Sequence, residues 1–244
     1  MRYRFKVEYD GTEFHGWQVQ ENANTVQAEL EKALEIALRK PIQVMGSGRT
    51  DAGVHSSGQV VAFDWGEYLD AYAITKSINA LTPPSIAIRD LEMCQLDFSP
   101  RYEAEFRYYI YTIYTRPVAL NRLYGWDCSS LKLDIEKIKR EAPLFLGTHD
   151  FIHFCVPRDD GKSTDCTITR FDVEEFDCGI RLHIQGNRFL HKMVRSMVGI
   201  LVDVGRGHHP AGSVQQIFEN TFEGERTWAK PMGLNLIQVK YSDY

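Results

Sequence analysis

The sequence is poor in cysteine, and what it has is badly placed for metal or disulfide chemistry. Its five cysteines, Cys94, Cys128, Cys155, Cys166 and Cys178, are odd in number and irregularly spaced. With no C-x-x-C pair, neither a zinc ribbon nor a disulfide framework is indicated, and reduced thiols are expected, as is usual in the cytosol. No run of about 18 uninterrupted apolar residues occurs, so no membrane span is expected. The opening Met1-Arg2-Tyr3-Arg4-Phe5-Lys6 alternates charge with aromatics and lacks the apolar segment of a secretory leader; the expectation is a cytoplasmic protein. A Walker loop, a Rossmann fingerprint and a Ser-His-Asp elbow are all missing, which leaves no nucleotide cofactor implied. Net positive charge is missing too. The 28 Lys+Arg against 33 Asp+Glu give −5, which by itself counts against a nucleic-acid partner, although a cleft can be positive on an acidic protein.

What remains is an ordinary globular composition. A chain of 244 residues with 43% hydrophobic and 25% charged residues suits one large domain or two small ones. Residues 2–10 alternate with period two: Tyr3, Phe5, Val7 and Tyr9 on one face, Arg2, Arg4, Lys6 and Glu8 on the other, which predicts a half-buried strand. Asn24, with Gln27 three residues on, reads as a helix cap. Val26, Leu30, Leu34 and Leu38 then follow at i+4 spacing, and Pro41 ends the helix. Ile42-Gln43-Val44-Met45 and Gln59–Phe63 read as strands around a glycine-rich loop. A second helical pattern covers residues 68–81 through Leu69, Tyr72, Ala73 and Ile78, and Ile86-Ala87-Ile88 follows as a strand.

From residue 104 the pattern repeats as helix, strand, strand, helix, strand after a tyrosine-rich strand at 104–115. Helices are expected near 133–146, at Phe189, Met193, Met197 and Leu201, and after a cap formed by Ser213 with Gln216. Strands are expected near 168–176 and 180–185, and Leu234–Tyr241 closes the chain. The order predicts an α+β protein of two fused ferredoxin-like, split β-α-β halves. These would carry a mixed, mainly antiparallel sheet with helices packed on it, divided as residues 1–103 and 104–244, with the active-site cleft between them.

The candidate chemistry concentrates in Gly46-Ser47-Gly48-Arg49-Thr50-Asp51-Ala52-Gly53-Val54-His55. Asp51 is the leading catalytic candidate, as nucleophile or general base, with Arg49 nearby in sequence and Arg195 able to arrive from the second half. The competing reading is a turn-capping Asp51 with Arg49 as a surface ion-pair partner. Tyr109 beside Arg107 could stack on a nucleobase, whereas most aromatics of that strand are equally good core strand formers. Basic residues gather in loops and edges (Arg101, Arg107, Arg116, Arg122, Arg158, Lys162, Arg170, Arg188, Lys192, Arg195, Arg206) while acids gather on helices, the segregation an acidic RNA binder needs. His149 and His153 sit at i, i+4, but Asp150 stands where a zincin has glutamate and no third ligand is evident; no metal site is expected.

Ordered segments over nearly the whole length resemble the tRNA pseudouridine synthase A family. They are Tyr9-Asp10-Gly11-Thr12-x-Phe14-x-Gly16-Trp17-Gln18-x-Gln20, Thr25-Val26-Gln27, Gly48-Arg49-Thr50-Asp51-Ala52-Gly53-Val54-His55 and Gly58-Gln59. Further on come Phe98 and Arg101, Arg107-x-Tyr109-x-Tyr111, His149-Asp150-Phe151, Phe189-Leu190-x-x-Met193-Val194-Arg195, Gly199 and Pro231-x-x-Gly233-Leu234-x-Leu236. The resemblance implies isomerisation of uridine to pseudouridine at positions 38, 39 and 40 of the tRNA anticodon stem-loop. It also implies a homodimer with no metal, ATP or organic cofactor, and no protein partner beyond its own copy. Asp51 then matches the nucleophile, Arg49 a base-flipping arginine, Tyr109 the active-site tyrosine and Arg195 the aspartate's ion partner. Arg107 and His55 are expected to help bind substrate. Ser56 departs from the family's usual alanine, and Ala229-Lys230-Pro231 from Ala-Pro-Pro. Two rivals stay open: an RNA-binding module or tRNA-folding chaperone on the same scaffold, and a carboxylate-dependent hydrolase.

Overall fold

A computed structural model describes residues 1–157 and 161–242; Arg158 of the basic set lies outside them. In chain order the elements are β1 (Arg2–Tyr9), α1 (Val26–Leu38), β2 (Met45–Gly46), β3 (His55–Asp64), α2 (Ala71–Leu81) and β4 (Ile86–Cys94). Then follow β5 (Phe106–Tyr114), β6 (Trp126–Asp127), α3 (Ile135–Glu141), β7 (Gly147–Asp150), β8 (Asp165–Phe176), β9 (Gly179–Gly186), α4 (Met193–Gly205), α5 (Ser213–Phe218) and β10 (Leu234–Lys240). The α+β class expected from the alternation is what forms. The chain makes two compact units, Met1–Glu105 with Asn235–Tyr244, and Phe106–Leu234. All of β10 but its first residue therefore belongs to the first unit. No helix among the described residues is long and apolar enough to cross a membrane.

In the first unit β1 lies between β3 and β4, antiparallel to both. The short β2 pairs antiparallel with β3 at Met45 and Gly46, while β10 pairs with β3 in parallel at Asn235 and Leu236. The inward face of β1 is as predicted: Tyr3, Phe5, Val7 and Tyr9 are all buried in one core with Val26, Leu30 and Leu34 of α1 and Ile78 of α2. The outward face is neutralised by cross-strand ion pairs, Arg2 to Asp64 at 2.8 Å, Arg4 to Glu92 at 2.6 Å and Lys6 to Asp90 at 3.1 Å. Arg4 is buried rather than solvated, its guanidinium 5.2 Å from the Phe98 ring centroid.

Local expectations needed correction in several places. Thr25, not Asn24, caps α1, its hydroxyl accepting from Ala28 N; Gln27 instead bonds Glu31 and Val44 O. Ile42 and Val44 are buried yet form no strand before Met45, because the Glu31 carboxylate accepts the Val44 N–H at 3.0 Å where a ladder partner would stand. The second helix starts at Ala71 behind an Asp70 cap, and Tyr72 is 79% exposed instead of facing the core. Before α5 the cap is Gly212 in the left-handed region, with no side-chain bond, because the Ser213 hydroxyl donates to Pro210 O.

In the second unit β9 lies between β5 and β8, antiparallel to both, and β7 joins the far side of β8. The expected helix at 133–146 is divided: α3 stops at Glu141 and a 3₁₀ turn with Pro143 near its start takes over from Ala142 to Phe145, since proline supplies no N–H to continue the α pattern. His149 and His153 fall on β7 and on a separate 3₁₀ turn, not on one helix.

Helix α4 is buried at nearly every position, so it is core rather than amphipathic surface. Along one stripe Arg195, Gly199 and Asp203, spaced four apart, meet the segment 227–229. Arg195 O accepts the Ala229 N–H at 3.1 Å, and the Asp203 carboxylate accepts from Thr227 N and Oγ1, both at 2.8 Å. Between them a Cβ on Gly199 would lie 1.7 Å from Thr227 O. Gly199→Ala is therefore expected to destabilise the protein by about 1–3 kcal/mol through overpacking, read as a lower urea midpoint; an unchanged midpoint would show that segment 227–229 yields freely.

Candidate active site

The loop at residues 46–55 is fastened along its length. Ser47 N–H donates to Val60 O at 2.9 Å, the Ser47 hydroxyl to the Gln59 side-chain oxygen, and the Gln59 amide to Gly48 O at 2.7 Å. These bonds tie the loop's entry to β3. Its exit is a turn, with Val54 N–H donating to Asp51 O at 3.1 Å and Gly53 at φ +76°.

The segment 9–17 holds the same loop from outside. Thr50 is gripped twice, its carbonyl by Trp17 N–H at 3.1 Å and its hydroxyl by Tyr9 Oη at 2.8 Å. Gly53 N–H donates to Phe14 O at 3.3 Å. The approach is close enough that a Cβ on Gly11 would fall 2.1 Å from Val54 O. Gly11 N–H donates to His55 Nδ1 at 3.1 Å. That nitrogen also lies 3.2 Å from Asp10 Oδ1, but a nitrogen accepting from Gly11 cannot also donate to Asp10. Asp10 Oδ1 is supplied instead by Thr12 N and Oγ1.

Thr50 and Gly53 thus pin the backbone on either side of Asp51, whose side chain stays partly exposed. Arg49 is exposed and makes no hydrogen bond or ion pair among the described residues, so the two are not a local salt bridge. His55 is 3% exposed and fastens the loop through Gly11. Ser56 has a structural task as well: its hydroxyl donates to Leu236 O at 3.2 Å and accepts from Gln59 N at 2.9 Å, fastening β3 to β10. Gly48 differs from Gly46, where a Cβ would fall 2.7 Å from the Trp17 ring, because a Cβ on Gly48 would meet nothing within 4 Å.

The second unit carries the remaining candidates. Arg107 and Tyr109 share one face of β5, two residues apart. Arg107 Nη1 donates to Asn187 O at 2.7 Å, and Tyr109, 9% exposed, meets the Phe189 ring edge-on, centroids 5.2 Å apart at 88°. Asn187 and Phe189 belong to the short connection from β9 into α4. On the first turn of α4, Arg195 Nε donates to Ala229 O at 2.8 Å, which fixes the plane of the guanidinium. Tyr111 Oη donates to the next carbonyl, Lys230 O, at 2.6 Å. Burial pushes the Tyr111 hydroxyl well above the usual tyrosine range, and the charge of Arg195 acts the other way. Of the basic set, Arg116, Arg170 and Arg206 are committed to Asp177, Asp172 and Asp203. No cluster of three or more His, Cys, Asp or Glu is placed to hold a metal among the described residues.

Sequence reasoning found the motif residues but not the clamp. The Tyr9–Thr50, Trp17–Thr50 and Gln59–Gly48 bonds join segments whose motif spacing gives no sign of contact. Only the concentration of glycine at 11, 16, 46, 48 and 53 hinted at close backbone packing.

A family model described as tRNA pseudouridine synthase matches residues 6–103 and 142–242. The chain belongs to the tRNA pseudouridine synthase family. It is 38% identical over 248 residues to tRNA pseudouridine synthase A 1 of Protochlamydia amoebophila, covering 99% of this chain and 96% of that one. It is 38% identical over 241 residues to tRNA pseudouridine synthase A of Geotalea uraniireducens, with 96% and 97% covered. It is 37% identical over 238 residues to tRNA pseudouridine synthase A of Acetivibrio thermocellus, again with 96% and 97% covered. The segments shared with the synthase family contain Arg49, Asp51, His55 and Arg195, whereas Arg107 and Tyr109 fall in the interval between them.

The clamp makes a stability prediction. His55→Ala removes the acceptor of a buried Gly11 N–H and is expected to cost about 1–3 kcal/mol, measured by chemical unfolding. A loss below about 0.5 kcal/mol would mean that the loop does not lean on this bond.

Proposed function

We propose that this synthase converts uridine to pseudouridine in the anticodon stem-loop of tRNA, at positions 38, 39 and 40. It would work as a cytoplasmic homodimer without metal or organic cofactor. The chain would consist of two ferredoxin-like halves divided near residue 104. Support for the first half comes from its order β1-α1-β2-β3-α2-β4 and its strand neighbours β4-β1-β3-β2, the arrangement of a split β-α-β unit. The observation that carries the functional reading is the Asp51 loop: the motif is intact, the backbone is pinned on both sides, and the carboxylate remains accessible.

The roles follow from the chemistry. A uridine in a stem must leave its stack, at a cost of a few kcal/mol, before a carboxylate can reach it. Arg49, exposed and without a hydrogen-bond or ion-pair partner among the described residues, fills the space the base vacates. Tyr109 lies against the extruded ring, Arg107 binds substrate beside it, and His55 serves the site by holding the loop. Arg195 keeps Asp51 ionised, since a nearby cation favours the charged carboxylate. Asp51 adds to C1′ of the ribose or to C6 of the uracil. On either route the N1–C1′ bond breaks, the base turns, C5 bonds to C1′, the carboxylate departs, the C5 proton is lost to solvent, and N1 takes up a proton from solvent in its place. No atom is gained or lost overall, as an isomerisation requires.

The direct test uses tRNA tritiated at uridine C5. Wild-type protein should release tritium to water, and Asp51→Ala should release none while still binding tRNA. Undiminished release by Asp51→Ala would remove the nucleophile assignment, and binding without release by wild type would favour an RNA-binding module. Affinity should fall as salt rises and phosphate contacts are lost; a flat salt response would contradict a basic cleft.

Gly48 supplies a second test, because nothing in the protein demands glycine there. If the loop backbone approaches the nucleotide at this point, Gly48→Ala leaves stability within about 0.5 kcal/mol yet lowers kcat/KM by about tenfold or more. Equal activity in both proteins would place the nucleotide elsewhere.

A further inference from the structure

Trp228 is a large aromatic side chain left 41% exposed on a backbone held tightly on both sides. Thr227 is bound through N and Oγ1 by the buried Asp203 carboxylate, and Ala229 through N and O by Arg195. Arg226, one residue earlier, donates to His153 O and lies 5.9 Å from the Phe154 centroid. The Trp228 indole N–H has no hydrogen-bond partner among the described residues. Lys192 Nζ stands 5.9 Å from the Trp228 ring centroid, and Lys192 is the N-cap residue of α4, three positions before Arg195. Isolated exposed apolar residues need no explanation. This one is different because its backbone is immobilised, a cation stands at its ring, and its neighbour Ala229 is the residue Arg195 holds.

We propose that Trp228 is a stacking platform for a nucleobase of the tRNA flanking the uridine that reacts, with Lys192 on that nucleotide's phosphate. The inference rests on assigning Arg195 to the reaction centre. Every base presents a π-face, so an indole held rigidly beside the reacting nucleotide orders its neighbour without reading its identity. The ring's fixed backbone means that little is lost in ordering it when RNA binds. A basic residue paired with an aromatic is the combination that follows a single strand, one partner for phosphate and one for base. An extruded uridine leaves its neighbours with an unstacked face, and a protein-borne indole replaces that lost contact.

The test is a cycle between Trp228 and the RNA, using tRNA transcripts that carry an abasic nucleotide at each position flanking the target uridine. Wild-type affinity should fall about tenfold for one of these transcripts. Trp228→Ala should bind intact tRNA about tenfold more weakly and lose nothing further on that same abasic transcript. Its KM should rise by more than its kcat falls, and Trp228→Tyr should recover most of the affinity. Fluorescence gives an independent readout: RNA should quench an emission component that is present in wild type and missing from Trp228→Tyr. Wild-type affinity for Trp228→Ala, or equal losses by both proteins on every abasic transcript, would overturn the proposal. Failure here with tritium release intact leaves the isomerase reading standing. A positive cycle without tritium release would remove the isomerase and keep the stacking site.

Discussion

Thr50 is the point on which the loop at residues 46–55 depends. Its carbonyl is taken by Trp17 N–H and its hydroxyl by Tyr9 Oη, so a loop residue is anchored at once to β1 and to the segment entering α1. On the reading proposed above Asp51 is a nucleophile, and a nucleophile must meet two opposed demands. Its backbone should be immobile, because a misplacement of about 1 Å can cost a hundredfold in rate, yet its side chain must stay reachable. Pinning residues 50 and 53 satisfies the first without covering Asp51. It also explains why the glycines at 11 and 16 matter to a loop 40 residues away in sequence: a Cβ at Gly16 would come within 2.7 Å of Thr50 O.

The second unit meets the same two demands by a different route. Arginine has a long side chain with considerable rotamer freedom, and Arg195 is fixed because its Nε and its own carbonyl both engage Ala229. That grip is useful only if Ala229 is itself immobile. Asp203 secures the same segment two turns further along α4 through Thr227, and Gly199 between them lets the two backbones touch. The buried Asp203 is tolerable in an apolar helix because Arg206 and Thr227 satisfy it. A buried carboxylate without such partners would cost several kcal/mol.

Period-two and i+4 patterns made the elements legible in the sequence wherever a face was continuously apolar, as in β1, α1 and α4. They failed where a side chain replaced the backbone partner. Glu31 capping Val44 removed an expected strand, and no window of local sequence contains that pairing. Tyr72 misled because an aromatic at helical spacing reads as core, whereas the helix is anchored by Ile78 and the preceding Leu69, with Ala71 and Ile74 packed against the same core. For the site, motif residues were legible as types and spacings. Which of them hold the loop was not, because that depends on bonds between segments 9–17 and 46–55. His55 shows the difference: it reads as a binding residue in sequence, and in the fold it is a buried acceptor for Gly11 N–H.

Charge offers the same lesson from the opposite direction. A net charge of −5 suggests a protein that polyanions avoid, but the sum ignores which charges are already spoken for. Asp64, Asp90 and Glu92 neutralise the outer face of β1. Glu136 and Glu175 converge on Lys139, and Asp172 and Asp177 are paired with Arg170 and Arg116. Exposed pairs of this kind contribute only about 0–1 kcal/mol each to stability. Their larger effect is on the field: a paired carboxylate presents a dipole to an approaching phosphate, and over about 8–10 Å its influence is screened at physiological salt. On the reading proposed above, what the RNA meets is therefore set by the few cations close to its path. Exposed Arg49 on the loop 46–55 and Lys192 at the start of α4 lie close in sequence to Asp51 and Arg195, the residues to which the proposal assigns the chemistry. A handful of such contacts is enough to make binding salt-dependent, whatever the sign of the total.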